Sequence, residues 1–166
     1  GHGFGTKAAS PMMRYAAMFE RCRERCEGAL GAFLMLGDPG IDACEAYLDA
    51  LVAGGADMVE LGIPFSDPIA DGPVIQAAAV RALNAGVRTA GCLAMIARFR
   101  ARHRDIPVGI LTYANIVAAR GIGRFAGELT EASADSLLVA DVPTLEAAPY
   151  AAAGRAEGID LVMIAA

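Results

Sequence analysis

Short apolar segments alternate along this chain with longer segments of helical periodicity, and this alternation restricts the fold more than any other feature. Strands are predicted at residues 30–36, 57–62, 107–112, 136–140 and 159–165. Helices are predicted at residues 13–26, 41–53, 69–84, 89–103, 123–132 and 143–157, with Asp42 as a cap of the second and Pro143 in the first turn of the last. Repeated strand–helix units of this kind predict parallel strands joined by right-handed crossovers.

Composition supports a sheet that is buried on both faces, because 55% of the 166 residues are hydrophobic and only 20% are charged. A net charge of −5 argues against a nucleic-acid-binding protein. No apolar run reaches the roughly 18 residues that a membrane-spanning helix needs, and the beginning of the chain lacks the pattern of a secretory signal. We therefore expect a cytoplasmic protein whose four cysteines are free thiols rather than metal ligands.

The chain is expected to form one domain over residues 12–166, preceded by a tag-like or flexible leader at residues 1–11. Two parallel architectures compete for this domain. An open doubly wound sheet usually carries a glycine-rich fingerprint after its first strand, but the turn after the first strand here is Gly37-Asp38-Pro39-Gly40. Polar residues instead follow several different strands: Asp38, Glu60, Asp67, Asp71, Tyr113, Asn115 and Asp141. Loops at the carboxyl ends of strands that share one site favour a (β/α)₈ barrel, of which this chain holds about five units.

Glu60 is the residue that most strongly indicates a function. It lies within the apolar segment Met58-Val59-Glu60-Leu61, where a carboxylate is costly unless it is paired or used. Burial raises the pKa of a carboxyl group, which suits general acid–base catalysis near neutral pH. The alternatives are a buried glutamate with a purely structural role and a glutamate that points into solvent at the end of a strand. Asp71 follows in a proline-rich loop and is a candidate second carboxylate facing Glu60 across a pocket, whereas Asp67 could equally be a turn residue.

The segment at 59–73, VELGIPFSDPIADGP, closely resembles the signature of the tryptophan synthase α subunit family. Three further segments resemble the family in the same order: LGDPG at 36–40, LTYAN at 111–115 and LVADVP at 138–143. The resemblance extends from about Arg14 to the last residue. It implies a (β/α)₈ barrel without metal or organic cofactor, and a lyase that splits indole-3-glycerol phosphate into indole and glyceraldehyde 3-phosphate.

The resemblance also assigns roles to residues. Glu60 matches the catalytic acid that protonates C3 of the indole, and Asp71 matches the second catalytic acid, which stabilises positive charge at the indole N–H. Residues that match the substrate pocket are Phe33, Leu111, Tyr113, Leu138 and Ile164. Residues that match the surface facing the β subunit, in an α₂β₂ complex, are Pro64, Asp67, Asn115 and Pro143.

Strands six to eight of the family barrel, with the phosphate-binding loops after strands seven and eight, lie beyond residue 166. Either they belong to the protein and are not in this sequence, or the chain is a fragment that must associate to close its barrel. A catalytically incomplete half-barrel that only docks on the β subunit is therefore the alternative function. A different aldolase that forms a Schiff base is disfavoured, because the only lysine is Lys7 in the predicted leader.

Overall fold

The computed structural model describes residues 11–165 of the chain. Within them, the strands are β1 (Gly31–Met35), β2 (Met58–Gly62), β3 (Val108–Thr112), β4 (Ser136–Val139) and β5 (Asp160–Val162). The helices are α1 (Pro11–Glu24), α2 (Ile41–Ala53), α3 (Pro73–Asn84), α4 (Thr89–Arg102), α5 (Ala114–Arg120), α6 (Ile122–Glu131) and α7 (Ala148–Glu157), and a short 3₁₀ helix at Thr144–Glu146 precedes α7. The predicted leader lies outside the described residues except for Pro11, at which α1 begins.

The five strands form one parallel sheet in the order β1-β2-β3-β4-β5. Each strand pairs with the next strand along the chain, and at least one helix lies between consecutive strands. An open doubly wound sheet reverses its strand order at a switch point, and this sheet contains no reversal. Sequential parallel order is the order of a (β/α)₈ barrel. The predicted fold, the first five strands of such a barrel, is confirmed.

One face of the sheet packs against the helices and forms the hydrophobic core. Successive side chains of a strand point to opposite faces, and Val59, Leu61, Val108 and Ile110 point to the helix side, where all four are almost completely buried. They contact a cluster that includes Leu48, Met95, Ile96, Phe99, Phe125 and Leu129 from the helices. Full burial of one such side chain stabilises a fold by about 1.5–3 kcal/mol. This face therefore holds the strands in place and leaves the opposite face available for a site. We call that opposite face the inner face.

A buried group of charges fastens α1 to the amino-terminal end of the sheet. Asp135, which immediately precedes β4, has no exposed surface and forms ion pairs with Arg14 of α1 and Arg100 of α4. The Arg100–Asp135 contact measures 2.7 Å, and the backbone N–H of Val108 donates to the same carboxylate at 2.7 Å. Because two cations and one backbone donor converge on one anion, the position of α1 is closely tied to β3 and β4.

Several element boundaries differ from the sequence prediction. Residues 114–120, to which the sequence assigns no element, form α5, and this helix is followed by Gly121 with a φ of 85°. The third helix begins at Pro73 rather than at residue 69, because proline is favoured in the first turn, where its missing N–H costs nothing. Pro143 does not begin the last helix; it precedes the 3₁₀ helix, and α7 begins at Ala148.

Two further predictions are wrong in detail. Asp42 does not cap α2, because the N-cap position is occupied by Gly40 and no side chain caps the helix. Asp42 instead lies in the first turn, where a carboxylate stabilises the positive end of the helix dipole. The last strand was expected to extend to residue 165, but β5 ends at Val162. This strand pairs only with β4 in the described structure, so it has few backbone hydrogen bonds to hold its end extended.

Candidate active site

A row of five residues crosses the inner face of the sheet, one from each strand. Strand register aligns them in the order Phe33, Glu60, Gly109, Ser136 and Asp160. Residues that are in register on parallel strands point to the same face, so the row brings two carboxyl groups, a hydroxyl group and an aromatic ring onto one surface. The glycine in its centre leaves a gap.

A cavity of about 490 Å³ lies over this row. Its lining is mainly apolar, with Phe33, Met58 and Val162 from the sheet and Phe19 from α1. The polar groups at its surface belong to Tyr15, Glu60, Ser136 and Asp160. An apolar cavity with a few convergent polar groups is the usual form of a small-molecule site.

Glu60 is the carboxyl group whose environment best suits acid catalysis. Its side chain is half-buried at the cavity surface, and no described residue forms an ion pair or hydrogen bond with it. Burial therefore raises the pKa of Glu60 above its usual value of 4.5 without an opposing contribution from a cation. A carboxyl group in this state keeps its proton to higher pH than an exposed glutamate and can donate it to a molecule in the cavity.

Asp71 lies in the loop after β2 and not among the residues that line the Glu60 cavity. The loop is fastened to Tyr113, whose hydroxyl accepts a hydrogen bond of 3.1 Å from the N–H of Ala70 and whose ring stacks on Phe65 with the ring centres 5.3 Å apart. Burial raises the pKa of Tyr113 to about 12, and the nearby carboxylate of Asp71 adds to this effect. Tyr113 therefore positions the Asp71 loop, whereas Glu60 is held by its strand.

The predicted pocket residues lie mostly on the inner face. Phe33 lines the cavity. Leu111 and Leu138 are register partners on the same face, nearer the carboxyl ends of their strands than Gly109 and Ser136. Ile164 lies beyond the end of β5, and 58% of its surface is exposed. The structure thus brings three of the four apolar residues onto the face that carries Glu60.

The residues predicted to face a partner all follow the carboxyl ends of strands. Asp67, Asn115 and Pro143 are exposed, but Pro64 is buried. Contact between Pro64 and another protein would require the loop after β2 to move. The start of α5 is linked to the loop after β4 by a hydrogen bond of 2.7 Å from the N–H of Ala114 to the carboxylate of Asp141.

Sequence reasoning missed the contribution of α1 to the cavity. The apolar periodicity of the first helix predicts only a packing role for Tyr15, yet its hydroxyl forms a hydrogen bond of 2.9 Å with the hydroxyl of Ser136. The available signal was a hydroxyl-bearing side chain on an otherwise apolar stripe. Its partner could not be identified, because 121 residues separate the two.

In the described part of the chain, no group of three or more His, Cys, Asp or Glu side chains is arranged to hold a metal ion. All four cysteines, at positions 22, 26, 44 and 92, are free thiols. None of the helices between residues 11 and 165 combines the length and apolar content needed to cross a bilayer.

The sequential parallel strand order defines an α/β protein of the (β/α)₈-barrel class. Its candidate site is an unpaired carboxyl group in an apolar cavity on the inner face of the sheet. Within that class, the sequence model of the tryptophan synthase alpha chain family matches residues 19–166, and the chain belongs to this family.

Individual relatives support the assignment. The tryptophan synthase alpha chain of Shewanella amazonensis is 53% identical over 154 residues, which are 93% of this chain and 58% of the relative. The crystal structure of tryptophan synthase subunit alpha from Legionella pneumophila is 34% identical with a TM-score of 0.86, covering 89% of this chain and 56% of that one. A structure of the tryptophan synthase α₂β₂ complex from Pyrococcus furiosus is 37% identical with a TM-score of 0.79, covering 82% and 54%. The chain therefore spans less than three fifths of the length of these proteins.

Proposed function

We propose that this chain carries the acid–base machinery of a lyase that cleaves indole-3-glycerol phosphate to indole and glyceraldehyde 3-phosphate, the α reaction of tryptophan biosynthesis. The observation that carries the proposal is the unpaired Glu60 carboxyl group at the surface of an apolar cavity. Membership of the tryptophan synthase alpha chain family supports the choice of reaction.

Glu60 supplies the proton that makes the carbon–carbon bond breakable. Protonation of C3 of the indole lets the ring accept the electrons of the bond to the glycerol side chain. The ionised Glu60 then accepts the proton of the glycerol hydroxyl as the carbonyl of the aldehyde forms. One group therefore serves as acid and then as base, which requires a pKa near the working pH. Burial shifts the pKa of Glu60 upward, which is the direction this requirement demands.

Asp71 has the complementary task of stabilising the positive charge that protonation creates at the indole N–H. An ionised carboxylate is needed for this, so the two acids must have different environments. Their surroundings differ: Glu60 is flanked mainly by apolar groups, whereas Asp71 lies in the loop after β2 near the hydroxyl of Tyr113. The loop must bring Asp71 toward the cavity when substrate binds, as catalytic loops commonly do.

The exposed residues Asp67, Asn115 and Pro143 form the proposed docking surface for a tryptophan synthase β subunit. They follow three neighbouring strands: Asp67 lies in the loop after β2, Asn115 in the first turn of α5 after β3, and Pro143 in the loop after β4. Asp67 shares its loop with Asp71. A partner that contacts Asp67 would also order the Asp71 loop, so we expect the β subunit to stimulate cleavage. The cytoplasmic location inferred from the sequence stays a prediction.

Release of indole from indole-3-glycerol phosphate tests the proposal. We expect Glu60→Gln to reduce the rate by about 10²–10⁴-fold, the usual contribution of a general acid or base. Glu131→Gln is the matched control, because Glu131 is an exposed residue of α6, away from the cavity. It should release indole as fast as the unaltered chain.

Equal rates for Glu60→Gln and the unaltered chain would refute the proposed role of Glu60. Failure to release indole at all, combined with stimulation of a β subunit, would instead support a docking role without catalysis. Far-UV circular dichroism of each variant shows whether a lost rate reflects lost folding.

A further inference from the structure

The gap at Gly109 is filled by a side chain from outside the sheet. A Cβ atom at position 109 would lie 3.2 Å from the hydroxyl of Tyr15 and 3.1 Å from the hydroxyl of Ser136. The Tyr15 hydroxyl therefore lies directly over the Gly109 backbone. Glu60 is the register neighbour of Gly109 on one side and Ser136 is its neighbour on the other. Since adjacent strands are about 4.8 Å apart, the Tyr15 hydroxyl enters the row next to Glu60.

Counting hydrogen-bond donors shows that this pair of hydroxyl groups has a spare proton. Tyr15 and Ser136 each carry one O–H, but a single hydrogen bond of 2.9 Å joins them. If Ser136 donates, the proton of Tyr15 is available to Glu60. If Tyr15 donates, the proton of Ser136 is available to Asp160, its register neighbour on β5. Both carboxyl groups lie at the surface of the same cavity.

The adjacent residue pair holds Tyr15 in this position. Arg14 and Asp135 form the buried ion pair, and Tyr15 and Ser136, the next residues of the two segments, form the hydroxyl pair. Two contacts between consecutive residues fix both the rotation and the height of α1 against β4. The tyrosine side chain is half-buried and has little freedom to leave the gap.

We propose that Tyr15 is a positioning residue for Glu60: its hydroxyl, held above Gly109 by Ser136, donates a hydrogen bond to the ionised Glu60 carboxylate. The bond keeps this carboxylate at the base of the cavity after it has given up its proton. The catalytic role of this hydrogen bond rests on the proposed function. The hydrogen bond itself can be tested whether or not the chain cleaves indole-3-glycerol phosphate.

Besides Glu60, two aspartates act on the Tyr15 hydroxyl. Asp135 lies behind β4, Asp160 lies on β5, and β1 contributes the uncharged Phe33. Both aspartates disfavour a second negative charge in the row, and both stay in place when only the Tyr15 hydroxyl is removed. A change in Glu60 on loss of that hydroxyl therefore reports the hydrogen bond.

Carbon-13 NMR of the unaltered chain with labelled glutamate carboxyl groups provides the test. Glu60→Gln assigns the Glu60 signal, which is then followed through a pH titration. Tyr15→Phe retains the ring and removes the hydroxyl, so it should raise the pKa of Glu60 by about one unit, since a donor to the charged form has been lost. Gly109→Ala should shift the titration in the same direction with Tyr15 intact, because the new Cβ would lie 3.2 Å from the Tyr15 hydroxyl and push it out of position by a few tenths of an ångström.

Tyr47→Phe is the matched control, since it makes the same chemical change at a tyrosine of α2 that is 51% exposed. It should leave the Glu60 titration unchanged. A Glu60 titration that is also unchanged in folded Tyr15→Phe would overturn the proposal, and would leave only a packing role for Tyr15. If Tyr15→Phe does not fold, Gly109→Ala decides in the same way. Indole release by the unaltered chain, measured in parallel, tests the proposed function separately.

Discussion

Replacement of Asp135 by asparagine leaves two guanidinium groups at the base of the sheet without their counter-charge. In the structure, Asp135 accepts from Arg14, from Arg100 at 2.7 Å and from the N–H of Val108 at 2.7 Å, and it has no contact with solvent. Removal of one partner from a buried ion pair costs about 3–5 kcal/mol. An asparagine oxygen can still accept one of the three hydrogen bonds, which recovers about 1 kcal/mol. We therefore expect Asp135→Asn to lower the free energy of unfolding by about 2–4 kcal/mol.

Urea unfolding followed by far-UV circular dichroism measures this loss. Asp38→Asn is the control, because Asp38 forms a bidentate pair with Arg81 at 2.7 and 2.8 Å, but the arginine is half-exposed. Solvent-exposed pairs contribute about 0–1 kcal/mol, so the control should lose much less stability than Asp135→Asn. Equal losses for the two variants would show that the buried network does not hold α1 as described.

Three further changes test other parts of the structure. The raised pKa of Glu60 means that the folded chain binds more protons than the unfolded chain as the pH rises from 4.5 to the folded pKa, so folding stability falls over this window. Glu60→Gln should remove that fall. In urea titrations between pH 4 and 8, the free energy of unfolding of the variant, relative to that of the unaltered chain, should rise with pH and then level off. Thr112→Val should raise the free energy of unfolding by about 1 kcal/mol, because the Thr112 hydroxyl is buried without a partner among the described residues; a loss in thermal unfolding would contradict this. Gly37→Ala should destabilise by about 2–4 kcal/mol in the same assay, because Gly37 has a φ of 82° and the new Cβ would lie 2.3 Å from a methyl carbon of Val87. Gly91→Ala, in open space on α4, should be neutral or stabilising.

The sequence predicts the order and type of most elements because strand and helix periodicities are local. All five strands were located within a few residues, and α2 has the predicted bounds. The helix α5 was missed since Asn115, Ile116 and Val117 have low helix propensity. This helix forms because Val117 is buried in the core, which local sequence does not reveal.

The candidate site likewise combines local features that the sequence predicts with long-range contacts that it does not predict. A glutamate inside an apolar strand is visible in the sequence, and the structure places Glu60 at the surface of a cavity. Pairings across 121 residues are not visible, so the contacts of α1 with Asp135 and Ser136 could not be predicted. The position of Asp71 also depends on a long-range contact, the bond from Ala70 to Tyr113.

The carbon-13 titration of the Glu60 carboxyl group in the unaltered chain is the measurement on which the proposed chemistry depends most. An unpaired, half-buried acid should titrate clearly above 4.5. A midpoint at or below 4.5 would mean that Glu60 is ionised and stabilised by another group, and it could not then be the proton donor proposed here.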